Sequence, residues 1–215
     1  GGSTALSSLT ASGSTITALN VRTTGTQSYT GSTSTTFNGT SYITAANTFS
    51  VTGAALLGAA VVIDTTNAGA SPSGASITFS STINNAQTLT LTGGSTGAVT
   101  VSGIVGGTTP LTSFTATGNT ISTVGVATTG AQSYTGATSS TFSGTYNISG
   151  AANAFTVTGP ALLGGATTVT TNNGNISFSS TLNNGQTLSL TAGTGAVTIT
   201  GATGGTTALT SLTAS

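Results

Sequence analysis

Short runs in which apolar and hydroxylated residues alternate recur along the whole chain. Ile77-Thr78-Phe79-Ser80, Leu89-Thr90-Leu91-Thr92 and Val99-Thr100-Val101-Ser102 are typical. Phe155-Thr156-Val157-Thr158, Ile176-Ser177-Phe178-Ser179, Leu188-Ser189-Leu190-Thr191 and Val197-Thr198-Ile199-Thr200 repeat the style later on. Strict alternation places one side chain on the buried face of a strand and the next on its outer face. Gly53, Gly103, Gly159, Gly201, Asn84-Asn85 and Asn183-Asn184 punctuate these runs, as turn-forming residues do. Strand starts fall about every 10 to 12 residues, so the pattern predicts an all-β chain.

Every second strand is spaced by about 19 to 26 residues, near 21 on average. One series runs through Ile77, Val99 and Ile121, another through Leu89, Leu111 and Tyr134. Two interleaved series at that spacing predict a parallel β-helix, or β-solenoid, in which each coil stacks on the last. Five such coils are expected in one long repeat.

The long repeat is plain. GGSTALSSLTAS (1–12) returns as GGTTPLTSFTAT (106–117) and GGTTALTSLTAS (204–215). TTGTQSYTG around Tyr29 returns around Tyr134, and FSVTGAALLGAA from Phe49 returns from Phe155. The chain therefore divides into a first repeat, 1–105, a second, 106–203, and the start of a third, 204–215, read as one continuous solenoid. Its opening and closing in the same phase predicts a segment of a longer array. The length difference lies mainly in Thr65–Ile77, which shrinks to Thr171–Ile176; its small, polar, Pro-containing residues predict a surface loop. Tandem β-sandwich domains are the competing architecture, since a repeat of this length also suits an immunoglobulin-like fold. The short, even segments and the finer period stand against it.

Composition narrows the chemistry. About a quarter of the 215 residues are Thr, and His, Cys, Met and Trp are absent. Arg22 is the single cation and Asp64 the single anion. Acid–base catalysis and activated nucleophiles need groups the chain lacks, as do zinc and calcium sites. The expectation is no enzyme, no metal and no cofactor. Nucleic-acid binding draws on Lys and Arg at phosphates, so no nucleic-acid partner is expected. No apolar run nears the ~20 residues of a spanning helix, so no membrane insertion is expected. Arg22 aligns with Ala127 and Asp64 with Thr170, so neither charge belongs to the repeat and both read as incidental.

Few residues offer a site. Tyr29 and Tyr134 occupy the same repeated phrase, each two residues after a glutamine (Gln27, Gln132). They are the candidate contact residues, for a sugar or a neighbouring fibre; the plainer reading is a buried ring with its hydroxyl at the edge. Asn38, Asn147 and Asn175 open N-glycosylation triplets, of a kind that arises by chance in such a chain. Thr-x-Thr pairs begin at Thr15, Thr88, Thr90, Thr115, Thr156 and Thr198. Ranked on one face they would suit an ice-binding solenoid, but their irregular gaps argue for ordinary surface threonines.

The phrases GGTTALTSLTAS, TTGAQSYTG, FTVTGPALLGGATTV and QTLSLTAGTGAVTITG resemble the Thr/Gly-rich repeats of large bacterial exoproteins, a group similar to filamentous-haemagglutinin-type adhesins. The resemblance spans essentially the whole chain and carries no site motif. It implies a right-handed parallel β-helix, export to the extracellular cell surface, and work as a fibre, stalk or biofilm adhesin. The expected partner is the protein itself, as neighbouring repeats or further copies. The alternative is a binding passenger, with a loop such as Asn67 to Gly74 contacting carbohydrate or a host surface.

Overall fold

A computed structural model describes residues 4–215, leaving the first three residues of the opening phrase outside the described region. The described chain is all-β, with strands from Leu9–Ala18 to Ser211–Ala214 and parallel pairing throughout the strand ladders. It winds into a β-solenoid of about 10 turns. At ~4.8 Å between hydrogen-bonded strands the stack is about 48 Å long.

Three ladders run along it, so each coil has three faces. The first carries Leu9, Gln27, Phe49, Ile77, Val99, Ile121, Ser140, Ala161, Leu182 and Thr203, each paired with the next. The second carries Ile16, Thr35, Ala55, Ile83, Val105, Val126, Tyr146, Val169, Leu190 and Ala214. The third carries Val21, Tyr42, Ile63, Leu91, Ala116, Tyr134, Val157, Phe178 and Ile199.

The series Ile77, Val99, Ile121 expected from the sequence lies on the first face. The second expected series does not form: Leu89 pairs with Phe114, and Leu111 forms a bridge with Thr128. The reason is the number of faces. Two series describe a two-strand coil, whereas the two-residue strand at Ile83 and the single bridging residue Val105 make a third pairing that the alternation does not reveal.

A third strand changes the count per repeat. From Leu9 the first face rises four coils to Val99, and the matching Phe114 then lies on the third face. One long repeat therefore measures fourteen faces, not the fifteen that five full coils would need. From Phe114 the third face rises four coils to Val197, and the matching Leu212 lies on the second face. Both repeats have the same fourteen-face length despite their different residue counts. Each repeat consequently begins one face behind the one before it.

That advance works only if the three faces are interchangeable, and the core shows that they are. Inward residues make one continuous hydrophobic column, and all seven Phe and all four Tyr are at most 2% exposed. Tyr29 on the first face meets Phe37 edge-on at 5.3 Å and 77°; Tyr134 on the third meets Phe142 at 5.0 Å and 85°. The same ring cluster thus forms with every member moved round by one face. Gly53 and Gly159 mark tight, equivalent corners in the two repeats, with φ of +93° and +92°. A Cβ there would lie 2.0 Å from the Gly31 carbonyl oxygen or 2.1 Å from that of Gly136, so only glycine fits.

Candidate functional site

The repeated Gln-x-Tyr phrase builds an internal polar node. Tyr29 donates its hydroxyl proton to Gln27 Oε1 at 3.0 Å, and Tyr134 donates to Gln132 Oε1 at 3.0 Å. The Gln27 amide lies 2.9 Å from the Ile43 carbonyl, 3.3 Å from that of Val21 and 3.4 Å from Thr23 Oγ1. Gln132 repeats this with the Asn147 and Val126 carbonyls at 3.1 and 3.0 Å and Thr128 Oγ1 at 3.1 Å. Each glutamine so ties two successive coils of the preceding face to the strand it opens. A buried amide needs such partners, and the phrase recurs because every repeat needs the corner.

Tyr29 is 1% exposed and Tyr134 0%, which corrects the contact role expected of them. Neither ring has a surface through which to stack on a sugar or a neighbouring fibre. Burial, reinforced by the neighbouring Tyr42 and Tyr146 hydroxyls, raises the pKa of both phenols well above the ordinary value. Tyr146 donates to the Thr123 carbonyl at 2.8 Å, and burial pushes its pKa up to about 12. These are neutral structural hydroxyls across the physiological range.

The features that do not repeat meet in one place. Asp64 Oδ1 accepts from the Thr66 amide and Thr66 Oγ1, both at 2.6 Å, and Oδ2 accepts from the Ala68 amide at 3.0 Å. The carboxylate thereby caps the inserted loop at its first turn, where Asn67, Ala68 and Gly69 have φ of +57°, +56° and +87°. Arg22 Nη2 donates to Asn67 Oδ1 at 2.8 Å from two coils below. The two charges read as incidental from sequence therefore share a task. They lie outside the repeat because the loop they hold lies outside it. Arg22 and Asn67, with Thr4, Thr24 and Ala45, also line a half-open cleft of about 370 Å³.

The glycosylation triplets divide by position. Asn38 is exposed at a corner, whereas Asn147 is a strand residue. Asn175 uses its Oδ1 to accept the Ala196 amide at 2.9 Å. Among the described residues no three His, Cys, Asp or Glu side chains come together.

Comparison with known proteins adds no relative. No family model matches the chain, no curated protein matches it, and no solved structure matches it.

Proposed function

We propose that this chain is a structural segment of an extracellular bacterial fibre or adhesin stalk, working through its own length and through association with further copies. One observation carries the reading: the ladders run without a seam across the boundary between the long repeats, where Val99 pairs with Ile121 and Leu89 with Phe114. Fourteen-face repeats on interchangeable faces can be added indefinitely, since each coil is stabilised by its neighbours alone. A side-chain set with two charges and no acid–base pair suits a material better than a catalyst.

Imaging of chains that carry increasing numbers of long repeats tests this. Each added repeat should lengthen an unbranched rod by about 22 Å, from fourteen thirds of a coil at ~4.8 Å. Beaded particles, or surface attachment unchanged when the repeats are deleted from the native protein, would count against a stalk. A second reading, a passenger that recognises carbohydrate or a host surface, is favoured only by the loop that Asp64 and Arg22 hold. Deleting Asn67–Gly74 and measuring retention on glycan-coated surfaces separates the two.

A further inference from the structure

The Thr-x-Thr pairs at Thr90, Thr115, Thr156 and Thr198, which look scattered in the sequence, come into register on the third face. Thr90, Thr115, Ser133, Thr156, Ser177 and Thr198 pair each with the next, forming one outward column over six coils. Two residues further along each strand, Thr92, Thr117, Thr135 and Thr158 form a second column. Backbone bonds from the Ser179 amide to the Val157 carbonyl and from the Thr200 amide to the Phe178 carbonyl continue it through Ser179 and Thr200. The intervals along the chain (25, 18, 23, 21 and 21 residues for the first column) are uneven because the corners absorb the differences. Irregular gaps in sequence are therefore no argument against a regular array.

The array is a two-dimensional lattice of hydroxyls. Neighbours stand ~4.8 Å apart between coils and ~6.7 Å apart along a strand, close to the spacings of oxygen rows on the prism faces of ice. Its geometry is fixed from beneath, because Leu91, Ala116, Tyr134, Val157 and Phe178 between the columns are buried. Nine of the twelve hydroxyl residues are Thr, β-branched and restricted at χ1, so ordering their methyls and hydroxyls costs little entropy. Both charges lie off the hydroxyl array, Arg22 three coils below it and Asp64 one coil below. At the edge of the third face Ser113 donates to Thr88 Oγ1 at 3.3 Å, as Ser50 does to Ser28 at 3.2 Å on the first face; among the described residues, no such side-chain bond engages the twelve hydroxyls of the array itself.

We infer that this face binds ice. The hydroxyls hold a first layer of water at lattice spacing while the methyls exclude water from other positions, and the layer is continuous with the crystal. Sugar polymers fit less well, since every aromatic ring is buried and no stacking platform is exposed.

The test uses the full chain, assayed for thermal hysteresis, inhibition of ice recrystallisation and uptake of the labelled protein onto a single ice crystal. The native protein is expected to show all three. Thr135→Tyr with Thr156→Tyr, at the centre of the array, should lose most of the hysteresis while far-UV circular dichroism stays native. Thr168→Tyr, exposed on the second face, should leave it unchanged. A native protein without hysteresis and without uptake onto ice overturns the inference whatever the variants do. So does an equal loss in Thr168→Tyr, or a loss confined to Thr52→Tyr with Thr78→Tyr on the first face.

Discussion

Tyr134→Phe removes one oxygen from the sealed core and isolates what that oxygen does. The hydroxyl donates to Gln132 Oε1 at 3.0 Å, and Oε1 has no other partner among the described residues. The ring remains, with its contacts to Phe142 at 5.0 Å and Phe155 at 5.3 Å. Loss of the bond itself costs about 1 kcal/mol, and leaving Oε1 buried without a donor costs about 1–3 kcal/mol more. The sum expected is roughly 2–4 kcal/mol. Repeat proteins open locally, so global melting is a poor readout. Native-state amide exchange around Val126, Gln132 and Asn147 reads the opening free energy of the coils concerned. Tyr29→Phe should cost about the same, because its hydroxyl meets Gln27 Oε1 at the same 3.0 Å. Protection within about 0.5 kcal/mol of native in both variants would refute the node as the element that ties the coils, that being the scatter of ordinary surface changes.

Gly159→Ala should be the more damaging corner substitution: a Cβ would sit 2.1 Å from the Gly136 carbonyl oxygen at φ +92°. A loss above ~3 kcal/mol, read as collapse of exchange protection near Thr158, is expected from strain and clash together. Asp64→Ala removes three hydrogen bonds from the inserted loop and should speed elastase cleavage within residues 65–76 several-fold, with little change in the core. Alkali should unfold the protein through its tyrosines. Their folded-state pKa values lie above the ordinary 10, so the stabilisation is fully present below pH 10 and is lost as pH rises through the folded values. For Tyr146, raised to about 12, the loss is about 2–3 kcal/mol. Tyrosinate absorbance should appear together with loss of β circular dichroism rather than before it.

What the sequence determined is the local code. Alternation in runs such as Leu89–Thr92 dictates strands with one buried and one outer face, because side chains on a strand point to opposite sides. The ~21-residue return of like residues dictates stacking of like on like, and so the parallel solenoid. The near absence of ionisable groups confines the chemistry to hydroxyls and backbone. Tertiary structure alone decided which strands meet. Pairing fixes residues by position along the axis, while corners of different lengths carry no registration signal of their own. So the strand at Ile83 and the bridge at Val105, too short to alternate visibly, and the one-face lag between repeats became legible only from the ladders. The same holds for burial of Tyr29 and Tyr134. An alternating pattern says that a ring lies inward, but only the neighbouring coils, supplying Phe49 and Phe155 from above, seal it from water. Arg22 and Asn67 lie 45 residues apart and meet because coils stack. The hydroxyl columns of the third face arise for that reason too: hydrogen bonding between coils sets a spacing that distance along the chain does not encode.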